Sequence, residues 1–283
     1  MRLQALLDHR FEPQRVRYSE RDTILYALSV GAGQDPLDPH QLRLVYEQGL
    51  LALPTMAAVL AQPVGWIANP VFEVDYRRLL HGEQHLTVHR SLPPGGELEA
   101  TYRVPAVLDK GPERGALVYF EKQLKSGAGG ELLCTVLSTL FLRADGGCGS
   151  FGTAPFTLPQ EPLAAPEFVE EITTPRNAGL LYRLNGDRNP IHVDPGAARQ
   201  AGFERPILHG LCSYGIAGYL LTRAVCAHEP ARLRTLGVRF TAPVYPGETL
   251  RIEGRRGADG VRFQAWVPER GQLVLGQGCA QVA

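Results

Sequence analysis

The chain runs through two hydrophobic textures, helical and then alternating, and it runs through them twice. The first begins at Ser19-Glu20-Arg21-Asp22, a capping box with Asp in place of Glu, whose side chains can satisfy free N–H groups at a helix start. Ile24, Leu25, Leu28 and Val30 then fall in a partly helical pattern, and Gly31-Ala32-Gly33 ends it. From Gln41 to Val64 the chain is mostly apolar, with Glu47 isolated inside it. Leu53-Pro54-Thr55 predicts the start of a second helix over Met56 to Gln62. From Asp75 to Ala144 the period shortens to two. Gln84–His89, Glu97–Tyr102, Ala116–Phe120 and Leu132–Leu142 read as strands of an antiparallel meander. Pro93-Pro94-Gly95-Gly96 and Gly127-Ala128-Gly129-Gly130 are the turns between them. Gly146 to Pro166, rich in Gly, Pro, Ala and Thr, is the linker candidate.

The same programme then repeats. Helices are predicted over Asn177–Leu184, Pro195–Ala201 and, as a long apolar element, His209–Val225. Strands follow at Leu236–Phe240, Thr249–Gly254, Val261–Val267 and Leu273–Val282. Val244-Tyr245-Pro246-Gly247-Glu248-Thr249-Leu250 echoes Leu92-Pro93-Pro94-Gly95-Gly96-Glu97-Leu98. Ile24 to Gly31 matches Leu180 to Gly186 with one gap, and Asp35 to Pro39 stands against Asn189 to Pro195. The pattern implies an internal duplication in which the first copy keeps the turn but has no histidine in it.

Candidate chemistry concentrates in the second copy, over Leu180–Gly215. Gly186 opens a turn that places an acid (Asp187), an amide (Asn189) and an imidazole (His192) within six residues, with Pro190 among them. Gly and Pro exclude a plain helix face, so the three groups can converge on one small ligand. Asp187 and His192 could share a water and move its protons, and the N–H of Gly210, at a helix start, could hold an oxygen that becomes negative. The plainer alternative is that Asp187 caps a local turn and His192 is a satisfied polar residue. Likewise Glu47 either turns its head to solvent or is a buried acid facing a ligand. Tyr182 and His209 are second-tier: packing for the first, helix capping or pocket lining for the second.

Composition narrows the classes. Lys+Arg and Asp+Glu are both 29 among 283 residues, which argues against nucleic acid as a partner. Cys134, Cys148, Cys212, Cys226 and Cys279 form no C-x-x-C, and an odd, scattered set suits a reducing compartment. No apolar run is long enough to span a membrane, and the start lacks the long apolar core of a signal peptide. The end, Gln281-Val282-Ala283, is not the Ser-Lys-Leu address, so a cytoplasmic protein is expected. His192, His209 and Cys212 match no zinc spacing, Gly31-Ala32-Gly33 lacks a preceding strand, and Leu211 stands where a nucleophile elbow needs Gly. No metal or cofactor is expected.

Gly186-Asp187-Arg188-Asn189-Pro190-Ile191-His192, Asp194-Pro195 and His209-Gly210 together resemble the signature of the MaoC-like (R)-specific 2-enoyl-CoA hydratases, also called hydratase 2. Val45-Tyr46-Glu47 followed by Leu53-Pro54-Thr55 is similar to the N-terminal half of eukaryotic members. The resemblance implies an α+β double hot-dog: two repeats, each a central helix wrapped by an antiparallel sheet, joined edge to edge. It divides the chain into an N-terminal repeat over 1–150, degenerate and lodging the acyl chain, a linker over 151–166, and a catalytic repeat over 167–283. It implies reversible hydration of a trans-2-enoyl-CoA to the (R)-3-hydroxyacyl-CoA, on an acyl-CoA thioester substrate, with a homodimer as the candidate assembly. Asp187, Asn189 and His192 would be catalytic, Gly210 the oxyanion donor, and Glu47, Tyr182 and His209 substrate-binding. Dehydration of a CoA or carrier-protein thioester, a hot-dog thioesterase and a non-catalytic acyl-binding subunit are the competing readings.

Overall fold

In the computed structural model, which describes residues 1–63, 65–127, 130–161 and 163–283, ten strands form a single antiparallel sheet. They are β1 (Gln14–Tyr18), β2 (Leu79–Val88), β3 (Gly96–Asp109), β4 (Ala116–Ser126), β5 (Leu132–Leu142), β6 (Phe168–Thr173), β7 (Leu233–Phe240), β8 (Thr249–Gly257), β9 (Gly260–Val267) and β10 (Gln272–Val282). Their order is β1-β3-β4-β5-β2-β7-β10-β9-β8-β6. The helices are α1 (Leu3–Asp8), α2 (Glu20–Ser29), α3 (Pro39–Val45), α4 (Ala178–Tyr182), α5 (Pro195–Gln200) and α6 (Gly210–Ala224). The predicted strands and the predicted α2, α4, α5 and α6 are all present, Leu132–Leu142 with the expected bounds and the others with one or both ends shifted. The turn expected at Gly127–Gly130 lies partly outside the described residues. Residues 151–161 and 163–166 form no helix or strand beyond one bridge, Val107 to Phe151.

The halves join through β2 and β7, in register from Glu83↔Arg239 to Thr87↔Thr235. Pairing these two edges leaves, among the described residues, β1 and β6 as the edges of the sheet, which limits unwanted pairing. Arg239 donates to Glu83 Oε1 at 2.6 Å across the join, so its charge is spent there.

Helix α6 is apolar all round, and Cys212 through Thr222 are buried without a break. An evenly apolar helix belongs inside a core. The sheet wraps it with Leu236, Val238, Leu250, Ile252 and Phe263. The first half reaches the same helix with Tyr26, Val30 and Met56. A Cβ on Gly215 would stand 2.6 Å from Val30 Cγ1 and 2.7 Å from the Tyr26 hydroxyl, so only glycine admits this contact.

Among the described residues, the longest helix of the first repeat is α2, 10 residues against 15 in α6. The helix predicted over Met56–Gln62 is a 3-10 turn, Pro54–Ala58. The reason lies across the fold. Buried Lys122 on β4 donates to the carbonyls of Ala58 (3.0 Å) and Leu60 (2.6 Å) and to Gln62 Oε1 (3.2 Å). Tyr102 on β3 donates to the Ala61 carbonyl at 2.6 Å, and Ala61 itself is left-handed at φ 50°. Carbonyls that would continue a helix are taken by the sheet instead.

Candidate active site

A short 3-10 turn, Arg183–Asn185, continues α4 and stops at Gly186, whose φ of 117° a side chain would resist. Two side-chain turns follow. Asp187 Oδ1 accepts the Asn189 N–H at 3.0 Å, and Asn189 Oδ1 accepts the Ile191 N–H at 3.2 Å. The second caps a 3-10 turn over Pro190–His192. Asp194 then caps α5 by accepting from Gly196 (2.6 Å) and Ala197 (3.1 Å). These caps, with proline at the first position of each element, aim the His192 ring inward. Gly179 makes room, since a Cβ there would lie 2.6 Å from the His192 carbonyl.

His192 is 8 % exposed and its Nδ1 lies 2.9 Å from the Ile207 carbonyl. A carbonyl only accepts, so the proton sits on Nδ1 and Nε2 carries the bare lone pair. That Nε2 is 3.9 Å from Asp187 Oδ2. Two acceptors facing each other across this gap suit a water that donates one O–H to each, at bonds of about 2.8 Å. Burial pushes His192 below the usual 6.5, opposed by the Ile207 carbonyl and the Asp187 charge. The imidazole is therefore neutral, as a base must be.

The other predicted residues separate. Gly210 opens α6, where the first N–H groups have no partner within the helix, and the His209 side chain does not cap them. Asn189 is exposed, and its amide oxygen is committed to the cap, which leaves Nδ2 as the group available to a ligand. The Asp187 side chain is 45 % exposed, so it stands at the open side of the pair while His192 is enclosed. Glu47 is exposed in the turn after α3 and is not gathered with the others. The solvated alternative is the one realised for its side chain, because the chain leaves the core between Leu44 and Leu50. Tyr182 and His209 are each 1 % exposed and stand behind His192 in a row of rings: His192–His209 at 3.7 Å, His209–Tyr182 at 5.0 Å, Tyr182–Tyr26 at 6.4 Å.

Asp187, His192 and His209 offer ligand atoms within 4.8 Å of one another. The two imidazoles lie nearly parallel, 26° apart, so their in-plane lone pairs run side by side and do not converge on one ion. Cys212 turns away and donates to the Ser29 carbonyl at 3.5 Å.

Two contributors had no sequence signal. The Ile207 carbonyl is backbone. His81 on β2 packs against Phe240 at 4.9 Å, and a Cβ on Gly210 would touch Phe240 at 3.4 Å. Burial drives His81 down to about 4, with the Asp187 charge a small opposing influence. Through Phe240 the first repeat thus reaches the start of α6.

Residues 158–275 match the family model described as MaoC like domain, and residues 16–144 match that of the MFE-2 hydratase 2 N-terminal domain. The chain is 38% identical over 295 residues to "Enoyl-CoA hydratase 2, peroxisomal" of Arabidopsis thaliana, covering 95% of this chain and 92% of that one. It is 36% identical to "Peroxisomal multifunctional enzyme type 2" of Mus musculus, covering 91% of this chain but only 35% of that longer protein. Among solved structures, the MaoC-like dehydratase from Phytophthora capsici superposes with a TM-score of 0.88 at 30% identity, over 100% of this chain and 99% of that one.

Proposed function

The chain belongs to the MaoC-like hydratase 2 family, and on that premise we propose that it adds water reversibly to a trans-2-enoyl-CoA to give the (R)-3-hydroxyacyl-CoA. The observation that carries the proposal is the opposed pair of acceptors, His192 Nε2 and Asp187 Oδ2, 3.9 Å apart beside the start of α6. A water held between them is polarised from both sides. Its oxygen bonds to C3 while one proton passes to the pair, and C2 takes a proton from the same side. Electron density that leaves the double bond collects on the thioester oxygen, where the Gly210 N–H and the helix dipole meet it. One water gripped on one face delivers both parts of the addition to that face, and the reverse path uses the same groups. Asn189 Nδ2 steadies the thioester or the water.

The test is direct. Purified protein should bleach the conjugated-thioester absorbance of trans-2-enoyl-CoA, and chiral analysis should return the (R)-alcohol. Release of free thiol without that alcohol would instead mark a thioesterase. A series from short to long acyl chains then defines the substrate.

We also propose the repeat division 1–150, 151–166 and 167–283, supported by the absence of helix or strand in the described residues of the linker. The acyl chain is read as lodging against the first repeat, where the 3-10 turn Pro54–Ala58 stands in for a long helix. A cytoplasmic location is supported by five free cysteines, and several relatives are named peroxisomal, so fractionation decides it. No helix among the described residues is long and apolar enough to cross a membrane. A homodimer is supported by exposed Leu180 and Leu184, and light scattering tests it.

A further inference from the structure

His209 is a buried residue that the hydration chemistry leaves idle, yet it meets the backbone of Asp187 and the ring of His192 and directly precedes Gly210. Its Nε2 lies 3.2 Å from the backbone carbonyl of Asp187 and so donates to it. Its ring lies face to face with His192, 3.7 Å between centroids. Its own carbonyl accepts from Cys212 (3.0 Å) and Ser213 (3.3 Å), which fixes it to the first turn of α6, one residue before Gly210. The Tyr182 ring backs it at 5.0 Å.

The three reacting groups lie on three separate segments: the 186–189 loop, the Pro190–His192 turn and the start of α6. Local caps order the first two internally but do not tie the loop to the helix. The His209 side chain makes that tie, and its flat face sets how deep the His192 ring can sit.

We propose that His209 is a positioning residue that holds the Asp187 carboxylate, the His192 imidazole and the Gly210 N–H in one register without touching substrate or exchanging a proton. This rests on the hydration reading and replaces the substrate-binding role that the resemblance gave it. Its Nε2–H is already committed to Asp187 and the residue is 1 % exposed; the remaining ring nitrogen, Nδ1, is unpartnered but buried, out of direct reach of solvent. Burial, reinforced by His192, pushes it down to about 4, so it stays neutral while the enzyme works.

Three variants separate its two contacts. His209→Gln keeps a donor for the Asp187 carbonyl but loses the flat ring. His209→Phe keeps the ring and loses the donor, and His209→Ala loses both. Displacements of about 1 Å in a reacting group cost about 100-fold. The alanine variant should therefore lose about 100-fold in kcat, and the other two about tenfold each, with KM within threefold. Near-UV circular dichroism of the Gln and Phe variants should match wild type. A rise in KM at constant kcat, or an unchanged kcat, overturns the proposal. A readout without turnover is amide exchange over 187–192, which should quicken in all three variants. Unchanged exchange also overturns it. Wild-type protein inert toward every enoyl thioester would overturn the hydration reading instead, and the exchange data would still judge His209.

Discussion

The loop after α2 and the loop after α4 are built on one frame. In the first, Gly31 turns left-handed at φ 94°, Asp35 Oδ1 accepts the Leu37 N–H at 2.9 Å, and Asp38 caps α3 through the His40 N–H at 2.9 Å. In the second, Gly186 turns at φ 117°, Asn189 Oδ1 accepts the Ile191 N–H at 3.2 Å, and Asp194 caps α5. Matched residues even meet across the join, where Asn185 donates to Ser29 at 2.9 Å and Tyr26 faces Tyr182. What differs is small. His192 and Val193 are extra in the second loop, and Gly179 stands where the first copy has Thr23, whose hydroxyl donates to the Pro94 carbonyl at 2.7 Å. Leu37, the last residue before the gap, is 87 % exposed and leads nowhere. Asx caps and prolines make the frame; what the second loop adds is an acid, Asp187, between Gly186 and Asn189 where the first loop has Ala32-Gly33-Gln34, two inserted residues, and room for one backbone carbonyl.

The sharpest way to break this comparison is to remove the pair. Asp187→Asn and His192→Gln should each lower kcat by about 10²–10⁴-fold, the range of acid–base catalysis, in the absorbance assay. Asp35→Asn in the other loop should leave kcat unchanged. If it does not, the first loop is not a bare frame.

Next comes the room. Gly179→Ala places a methyl 2.6 Å from the His192 carbonyl and should lower kcat by about 100-fold. Thr23→Ala should cost about 1 kcal/mol in urea melts, from its lost hydrogen bond, and leave kcat alone.

Acid should then erode both halves. Burial holds His81, His85 and His209 at about 4, against 6.5 when exposed, and lowers His192 as well. Between pH 6.5 and about 4 the unfolded chain binds more protons than the folded one, so stability falls as pH falls through that window. Thermal melts across it check the sign. The acid limb of kcat/KM should lie below 6.5, because protonation of His192 removes its lone pair. A limb above 6.5 would point to another base. Smallest of all, Asp38→Ala and Asp194→Ala should each cost about 1 kcal/mol as lost caps, with only the second lowering kcat.

Much of this was legible from local pattern. The Gly-Asp-x-Asn-Pro-x-His turn, the capping box and the apolar stretch of α6 each follow from residues within a few positions of one another. What escaped depends on distant partners. β1, QRVRY, has a single buried side chain and is a strand only because β3 pairs with it. The helix expected after Thr55 gives way because Lys122, 64 and 62 residues beyond Ala58 and Leu60, takes their carbonyls. Glu47 lies among apolar residues in the sequence, but Leu44 and Leu50 face the core, while the turn between them, Tyr46 included, faces out. The Nδ1 proton of His192 rests on a carbonyl, which no side-chain motif can announce.

The junction of β2 with β7 carries one more consequence. Two identical subunits meeting at that seam would receive every substitution twice, once in each copy of the turn. Because one chain supplies both sides of the seam, a change falls on one side only. One copy of the turn can then stay fixed while the other diverges; on the proposed division of roles, a single gene varies the acyl pocket without altering the reacting groups.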